Sequence, residues 1–348
     1  MAIKALEHLF FQSCREVSKE TRINSYVIGG WVRDIILNRG SKDIDVVVIG
    51  NGIDFAKQVA SKLSAKIKVN YFKNFGTAQF VYEGIDYEFV GARKESYNRD
   101  SRNPIVEGGS LEDDISRRDF TINALGISLN EENFGEIIDL YQGQEDLKNK
   151  VIRTPLNPDI TYSDDPLRML RAIRFASQLN FKIEDKSLNA IEHNADRLKI
   201  ISKERIHTEL NKILLSTKPS IGLDLLFKTK LLPYILPELE LLHGVELYKG
   251  KGHKDNFYHT LQVVDNVAKK SSKLWLRWAA LLHDIAKPQT KHYSETNGWS
   301  FHGHEVLGTK MAISIFKSLK LPLDKPLQYV RKLIFLHLRP IALTKEDI

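Results

Sequence analysis

The stretch GGWVRDIILNRGSKDIDVVVIG, residues 29–50, decides the fold. It begins where the short apolar run Ser25-Tyr26-Val27-Ile28, a candidate buried strand, meets a pair of glycines. Trp31, Val32, Ile35 and Ile36 then follow helical spacing up to Leu37, and residues 43–49 are rich in β-branched side chains. Working outward, the pattern predicts a helix over 55–63 and strands over 77–82 and 87–90. Alternating strands and helices make the first 150 residues a mixed α/β head. From Asp165 onward the texture is helical, with Pro166 placed for a first turn behind a capping aspartate and another helix over 202–215. Punctuation at Pro233, Pro237, Gly244, Gly250 and Gly252 separates a neck over 151–245 from a His-bearing helical body over 246–348. The chain stops at Thr344-Lys345-Glu346-Asp347-Ile348 without an obvious terminal helix, which reads as a body cut inside a longer protein.

Asp43 and Asp45 lie two apart in a strand-like run, so both side chains point to one face. Carboxylates so close repel unless neutralised. Hard oxygen ligands in small number suit Mg²⁺, which keeps places for water and substrate phosphates. Two such ions can activate an attacking hydroxyl and stabilise a leaving pyrophosphate. Alone, the pair fits two exposed strand carboxylates better than a metal site. Its neighbours favour chemistry: Gly29 and Gly30 let backbone approach a phosphate, a helix N-terminus follows, and Arg33 sits in its first turn. A plain tight turn is the alternative for the glycines, and their spacing matches neither the Rossmann nor the P-loop pattern.

The same stretch resembles the signature of the class II tRNA nucleotidyltransferase and bacterial poly(A) polymerase family, within the polymerase-β-like superfamily. FGTAQF (75–80), ARKESY (92–97), LEDDISRRDFTINALG (111–126) and DDPLRMLRAIRFA (164–176) follow in that family's order. The resemblance implies an α+β fold, with a five-stranded polymerase-β-like head, an all-α neck and a helical body. It implies that Gly30 and Arg33, beside Gly29, contact a triphosphate and that Asp43 and Asp45 bind Mg²⁺. Glu88, with Asp86 as its rival on the same face, would be the third acidic residue. Arg118 and Asp119 would meet the incoming nucleotide's phosphate and ribose.

Asp165, Arg168, Arg171 and Arg174 recur every third residue, a stripe on one helix. A carboxylate accepts from an exocyclic amine and an arginine donates to a ring nitrogen. Cytosine and adenine both present an amine beside an acceptor, whereas uracil and guanine would leave such a pair unsatisfied. The resemblance assigns this template role to Asp165 and Arg168, with Arg171 and Arg174 holding phosphates or shaping the pocket. A capping aspartate followed by solvated arginines is the plainer alternative.

His259, His283-Asp284, His304 and His337 stand in helical contexts, a ligand set suited to a transition metal, with His302 a spare candidate. LLHDIAKP (281–288), FHGHEVLG (301–308) and LIFLHLRP (333–340) resemble the HD phosphohydrolase superfamily. Either a working phosphohydrolase, for which a terminal 2′,3′-cyclic phosphate is a fitting substrate, or an RNA-holding module follows from this.

Charge and composition narrow the class. Residues 249–348 carry 17 Lys and Arg against 8 Asp and Glu, whereas residues 1–248 carry 34 against 36. The basic end suggests a polyanionic partner. One cysteine, Cys14, rules out an internal disulfide. No secretory h-region and no apolar run of about 20 residues occur, so a cytosolic protein off the membrane is expected. The combined expectation is addition of C and A to a tRNA 3′ end from CTP and ATP. The alternatives are poly(A) synthesis, though the glycine-arginine-arginine block of that branch is missing, A-only or CC-only addition, and an HD phosphohydrolase with a nucleotide-binding head.

Overall fold

Valine and isoleucine runs that cannot be solvated on both sides pair into one sheet covered by helices. The structure, a computed structural model, describes residues 2–72, 76–96, 104–248, 251–252 and 254–339. Phe75, Tyr97, Gly250, Pro340 and the terminal 344–348 segment of the sequence reading lie outside them. The chain divides into two compact units, residues 1–164 and 165–348, so the start of the expected neck, 151–164, falls in the first unit and the rest of the neck, with the body, in the second.

In the first unit, helix α1 (Leu9–Thr21) precedes β1 (Ser25–Ile28), α2 (Gly30–Ile36), β2 (Asp43–Val48) and α3 (Gly52–Leu63). Strands β3 (Asn70–Phe72), β4 (Thr77–Tyr82) and β5 (Ile85–Gly91), helix α4 (Leu111–Ser116), and strands β6 (Gly126–Ser128) and β7 (Ile137–Ile138) complete the sheet region. The sheet runs β3-β4-β5-β2-β1-β6-β7, with β2 and β5 parallel and the other pairs antiparallel. The mixed α+β head is as expected, but the sheet has seven strands rather than five. The two extra ones are short edges: β3 is exposed along its length and β7 has two residues. Neither carries enough apolar alternation to register in sequence.

β2 shows how one strand serves two layers. Ile44, Val46 and Val48 are buried on one face, where α1 and α3 pack together. Phe10, Phe55, Phe80, Tyr87 and Phe89 fill that layer, with Phe10 stacked on Tyr87 at 3.8 Å between centroids. Asp43, Asp45 and Val47 face the other way, and Val47 packs into a cluster with Ile28, Ala92, Ile115 and Ala124. Ile115 belongs to α4, so this small core brings α4 against the acidic face.

In the second unit the main helices are α5 (Leu167–Leu179), α6 (Lys203–Leu214), α7 (Pro219–Lys228), α8 (Asn256–Lys270), α9 (Leu274–Leu282), α10 (His304–Ser318) and α11 (Lys325–Leu336), with Asp185–His193 and three four-residue helices between them among the described residues. α5 starts one residue later than a first-turn proline would place it: Pro166 precedes the helix, and Asp165 Oδ1 accepts from the Leu167 N–H at 3.2 Å. Two short hairpins interrupt the expected all-helical neck and body, Leu247–Tyr248 with Lys251–Gly252, and β8 (His292–Ser294) with β9 (Gly298–Ser300).

Arg277 of α9, 4% exposed, donates to the carbonyl of Leu214, the last residue of α6, and to that of Ser216 just beyond it, the latter at 2.7 Å. It also donates to Ala268 and Ser271 at the end of α8, at 3.2 and 2.9 Å. One side chain thus satisfies carbonyls left open at two helix C-termini. Arg277→Ala leaves those acceptors buried without a donor and should lower stability by about 3 kcal/mol, with Arg277→Lys recovering only part. Chemical denaturation checks this; an Ala variant as stable as the wild type would remove the clamp's role.

Candidate functional site

The parallel pairing of β2 with β5 sets Asp43 opposite Asp86 and Asp45 opposite Glu88. Since side chains alternate in phase on paired strands, all four carboxylates share one face. Asp45 is half-buried, and burial, with Asp43 and Asp114 adding to it against Arg118, raises its pKa. Burial raises Glu88 too, and Asp45 contributes. Glu88 therefore answers to the half-buried Asp45, whereas Asp86 faces the exposed Asp43. Oxygen donors with a surplus of negative charge are the donor set a hard divalent cation fits.

Gly29 turns the chain at φ +88°, between β1 and α2, where a side chain would be strained. A Cβ there would lie 3.0 Å from Arg118 Nη1 and 3.7 Å from Asp45 Oδ2. The glycine turn, one aspartate of the pair and the second arginine of the R-R-D motif therefore meet at one point. Arg118 is held from below: its Nη2 pairs with Asp114 Oδ2 at 3.0 Å, and Arg117 pairs with the other oxygen and with Glu95. Asp114 is fully buried; burial alone would raise its pKa, but Arg118 and Arg117 hold it below its ordinary value.

Arg33 is buried and grips Asp34 through Nε and Nη2, both at 2.9 Å. Its Nη1 donates to Asn123 Oδ1 at 2.7 Å, and Asn123 Nδ2 donates to Asp119 Oδ1 at 3.0 Å. Asn123 so joins two residues singled out from sequence, which lie 86 positions apart, through one amide. Asp114 and Asn123 were not singled out, although both are in the quoted motif. The signal was the spacing: Asp114 stands three and four before the arginines on a helix, and Asn123 four after Asp119.

In the second unit, Arg168 and Arg171 are partly exposed on α5. Arg174 is buried, with Nε 2.8 Å from Glu209 Oε2 of α6 and its guanidinium 4.1 Å from the Phe175 ring centre. A spacing of three lags the 3.6-residue turn by roughly 60° per step, so the stripe rotates inward along the helix. The sequence reading of one shared face holds for neighbouring members only.

Of the five residues expected in the body, the four histidines converge on the fifth, Asp284. His283 Nε2 lies 3.0 Å and His259 Nε2 3.7 Å from Oδ2; His304 Nε2 lies 3.3 Å and His337 Nε2 3.7 Å from Oδ1. His283, His304 and His337 each turn Nδ1 to a carbonyl, of Ala280, Phe301 and Ile334, at 2.6–2.8 Å. Donation from Nδ1–H leaves Nε2 as the ligating nitrogen. Among the described residues, His259–His283–Asp284 and Asp284–His304–His337 are groups that could hold a metal ion, and they share the aspartate. His302 is in neither. Lys287 went unremarked in sequence, and its Nζ sits 2.7 Å from Asp284 Oδ2. Burial alone would raise Asp284, yet His283, His304 and Lys287 hold it far below the carboxylate range. A cavity of about 610 Å³ opens beside this cluster between α8, α9 and α11.

Three family models match: the poly A polymerase head domain over residues 25–153, the probable RNA and SrmB-binding site of polymerase A over 180–242, and the HD domain over 256–348. The chain is 35% identical over 277 residues to an A-adding tRNA nucleotidyltransferase of Aquifex aeolicus, covering 78% of the chain and 32% of the relative. It is 39% identical over 221 residues to a CCA-adding enzyme of Ligilactobacillus salivarius, covering 63% and 52%. It thus spans from a third to about half of these relatives' length. A solved tRNA nucleotidyltransferase complexed with a primer tRNA and an incoming ATP analog matches with TM-score 0.62 and 27% identity, over 96% of this chain and 98% of that one. A tRNA-processing enzyme with CTP matches with TM-score 0.67 and 28% identity, over 96% and 80%. No helix among the described residues is long and apolar enough to cross a membrane.

An acid that holds its proton more tightly in the folded state contributes stability at low pH and loses it as pH rises through the raised pKa. Asp45→Asn should therefore raise the melting temperature at neutral pH, by roughly 2–4 °C. Added Mg²⁺ should stabilise the wild type and leave the variant unmoved. A variant that melts lower, or gains equally from Mg²⁺, contradicts the electrostatic account.

Proposed function

Because the chain belongs to the class II tRNA nucleotidyltransferase and bacterial poly(A) polymerase family, with an HD domain in its second unit, we propose that it adds C and A nucleotides to the 3′ end of tRNA. The observation that carries this is the meeting of Asp45, the Gly29 turn and Arg118 at one point on the acidic face. The RNA's 3′-hydroxyl attacks the α-phosphate of CTP or ATP; the new phosphodiester forms as the α–β anhydride breaks and pyrophosphate leaves. Asp43 and Asp45, with Glu88 beside them, would hold Mg²⁺, which supplies the positive charge that neutralises the triphosphate. Gly29 and Gly30 give the phosphates close approach to backbone. Arg118, steadied by Asp114, faces them, while Arg33 and Asp119 are kept in place through Asn123. With no covalent step to perform, the protein acts by positioning and electrostatics.

Asp165 and Arg168 would read the base edge by accepting from the amine of C or A and donating to its ring nitrogen. Arg171 would reach phosphate, and Arg174, locked to Glu209, would fix the shape of α5 against α6. The basic body would bind the tRNA backbone, so affinity should fall steeply with salt. The His/Asp cluster is suited to a transition metal, held by Nε2 atoms and Asp284. We place the protein in the cytoplasm. A narrower reading, A-only addition, draws support from the Aquifex relative.

Incubation with tRNA lacking its 3′ end, given CTP and ATP singly and together, tests the proposal. Three nucleotides ending C-C-A are expected; AMP added only to tRNA already ending in C-C selects the narrower reading, and no transfer with either nucleotide refutes both. Asp43→Ala and Asp45→Ala should each cut incorporation by a factor of about 10³ or more while tRNA binding stays within about twofold. Asp284→Asn should remove metal bound by the body, read by elemental analysis, without reducing incorporation.

A further inference from the structure

The β8–β9 hairpin interrupts the body between two members of the His/Asp cluster, His283-Asp284 before it and His304 after it. Tyr293 and Trp299 are directly paired across its strands, edge to face at 5.2 Å between ring centres. Lys291 Nζ lies 5.6 Å from the Trp299 ring centre and also pairs with Glu246. Just past the hairpin, Phe301 binds the rim to the cluster twice. Its carbonyl accepts from His304 Nδ1 at 2.6 Å, and its ring lies 5.4 Å from Lys287 Nζ, itself on Asp284. His292, the first residue of β8, and His302, just past β9, are exposed.

We propose that this hairpin is a stacking platform for the unpaired nucleotides of an RNA end. This rests on the reading that the chain handles RNA. Rings that are partly exposed, with Lys291 beside Trp299, and carried on the most basic part of the chain offer what single strands need: faces for bases and, from the surrounding body, charge for phosphates. A double helix hides its base faces and gains only the charge. Recognition by stacking is indifferent to sequence, which suits one platform serving many RNAs. Phe301 then sets the last phosphates of a stacked strand toward the His/Asp cluster.

The test uses the full chain and a fluorescein-labelled single-stranded RNA hexamer followed by anisotropy. The Tyr293→Ala/Trp299→Ala double variant should bind roughly tenfold or more weakly, and Trp299→Phe within about threefold of the wild type. A blunt six-base-pair duplex should bind the wild type several-fold less well than the hexamer. Independently of any folding defect, the hexamer should quench tryptophan fluorescence in the wild type. That quench should vanish in Trp299→Phe, which keeps Trp31, Trp275 and Trp278. Unchanged affinity in a folded double variant, preference for the duplex, or an equal quench in Trp299→Phe each overturns the platform. Nucleotide transfer to tRNA on the same preparations reads the parent proposal separately: failure there leaves a positive binding result standing, and the reverse holds too.

Discussion

Four carboxylates on one face of two paired strands are an electrostatic load that the rest of the head is built around. Left in water they would only repel; on this face, beside a glycine turn, Asp45 and Glu88 hold protons more tightly than usual, and the four together favour any cation. Arg118 supplies part of the answering charge but cannot collapse onto them, since Asp114 anchors it from beneath. An arginine trapped between two acids, one structural and one reactive, keeps its guanidinium at a fixed place. The small apolar core of Val47, Ile115 and their neighbours holds α4, and hence Asp114, against the sheet.

The second unit solves a similar problem with nitrogen. One buried aspartate is shared by four histidines and a lysine, and backbone carbonyls fix three of the rings. Lys287 is an internal cation on the same carboxylate oxygen as His283, so metal on that side competes with a tethered ammonium. The opposite side, with His304 and His337 on the other oxygen, has no lysine or arginine on that oxygen among the described residues.

How far the sequence could be read follows from the range of each interaction. Asp43 and Asp45 were legible as a pair because strand alternation is local, and Gly29-Gly30 because a sharp turn needs no distant partner. The parallel partner strand could be recognised, but not the register that puts Glu88 rather than Asp86 beside Asp45. Long-range pairing fixes that. Short edges such as Ile137–Ile138 escaped because two residues cannot show a period. Arg174 looked like a fourth member of a repeating stripe; only the drift of the helix, together with Glu209 from 35 residues away, makes it a buried strut. Lys287 and Asn123 stood in plain view inside quoted motifs, passed over because their roles consist of what they touch.

The guanidinium that ties the ends of α6 and α8 together has a bearing on how such chains can be recombined. A helix terminus usually makes a convenient seam, since its last carbonyls can turn to water. Here the seam between neck and body is closed by a donor from a third helix, so a graft made at that junction would carry acceptors without their donor or a buried charge without its acceptors. Exchange of bodies between relatives would need the last turn of α6, the turn after α8 and Arg277 to travel together. Variation is therefore freer at hairpins such as β8–β9 than at the boundary that the sequence marks most clearly.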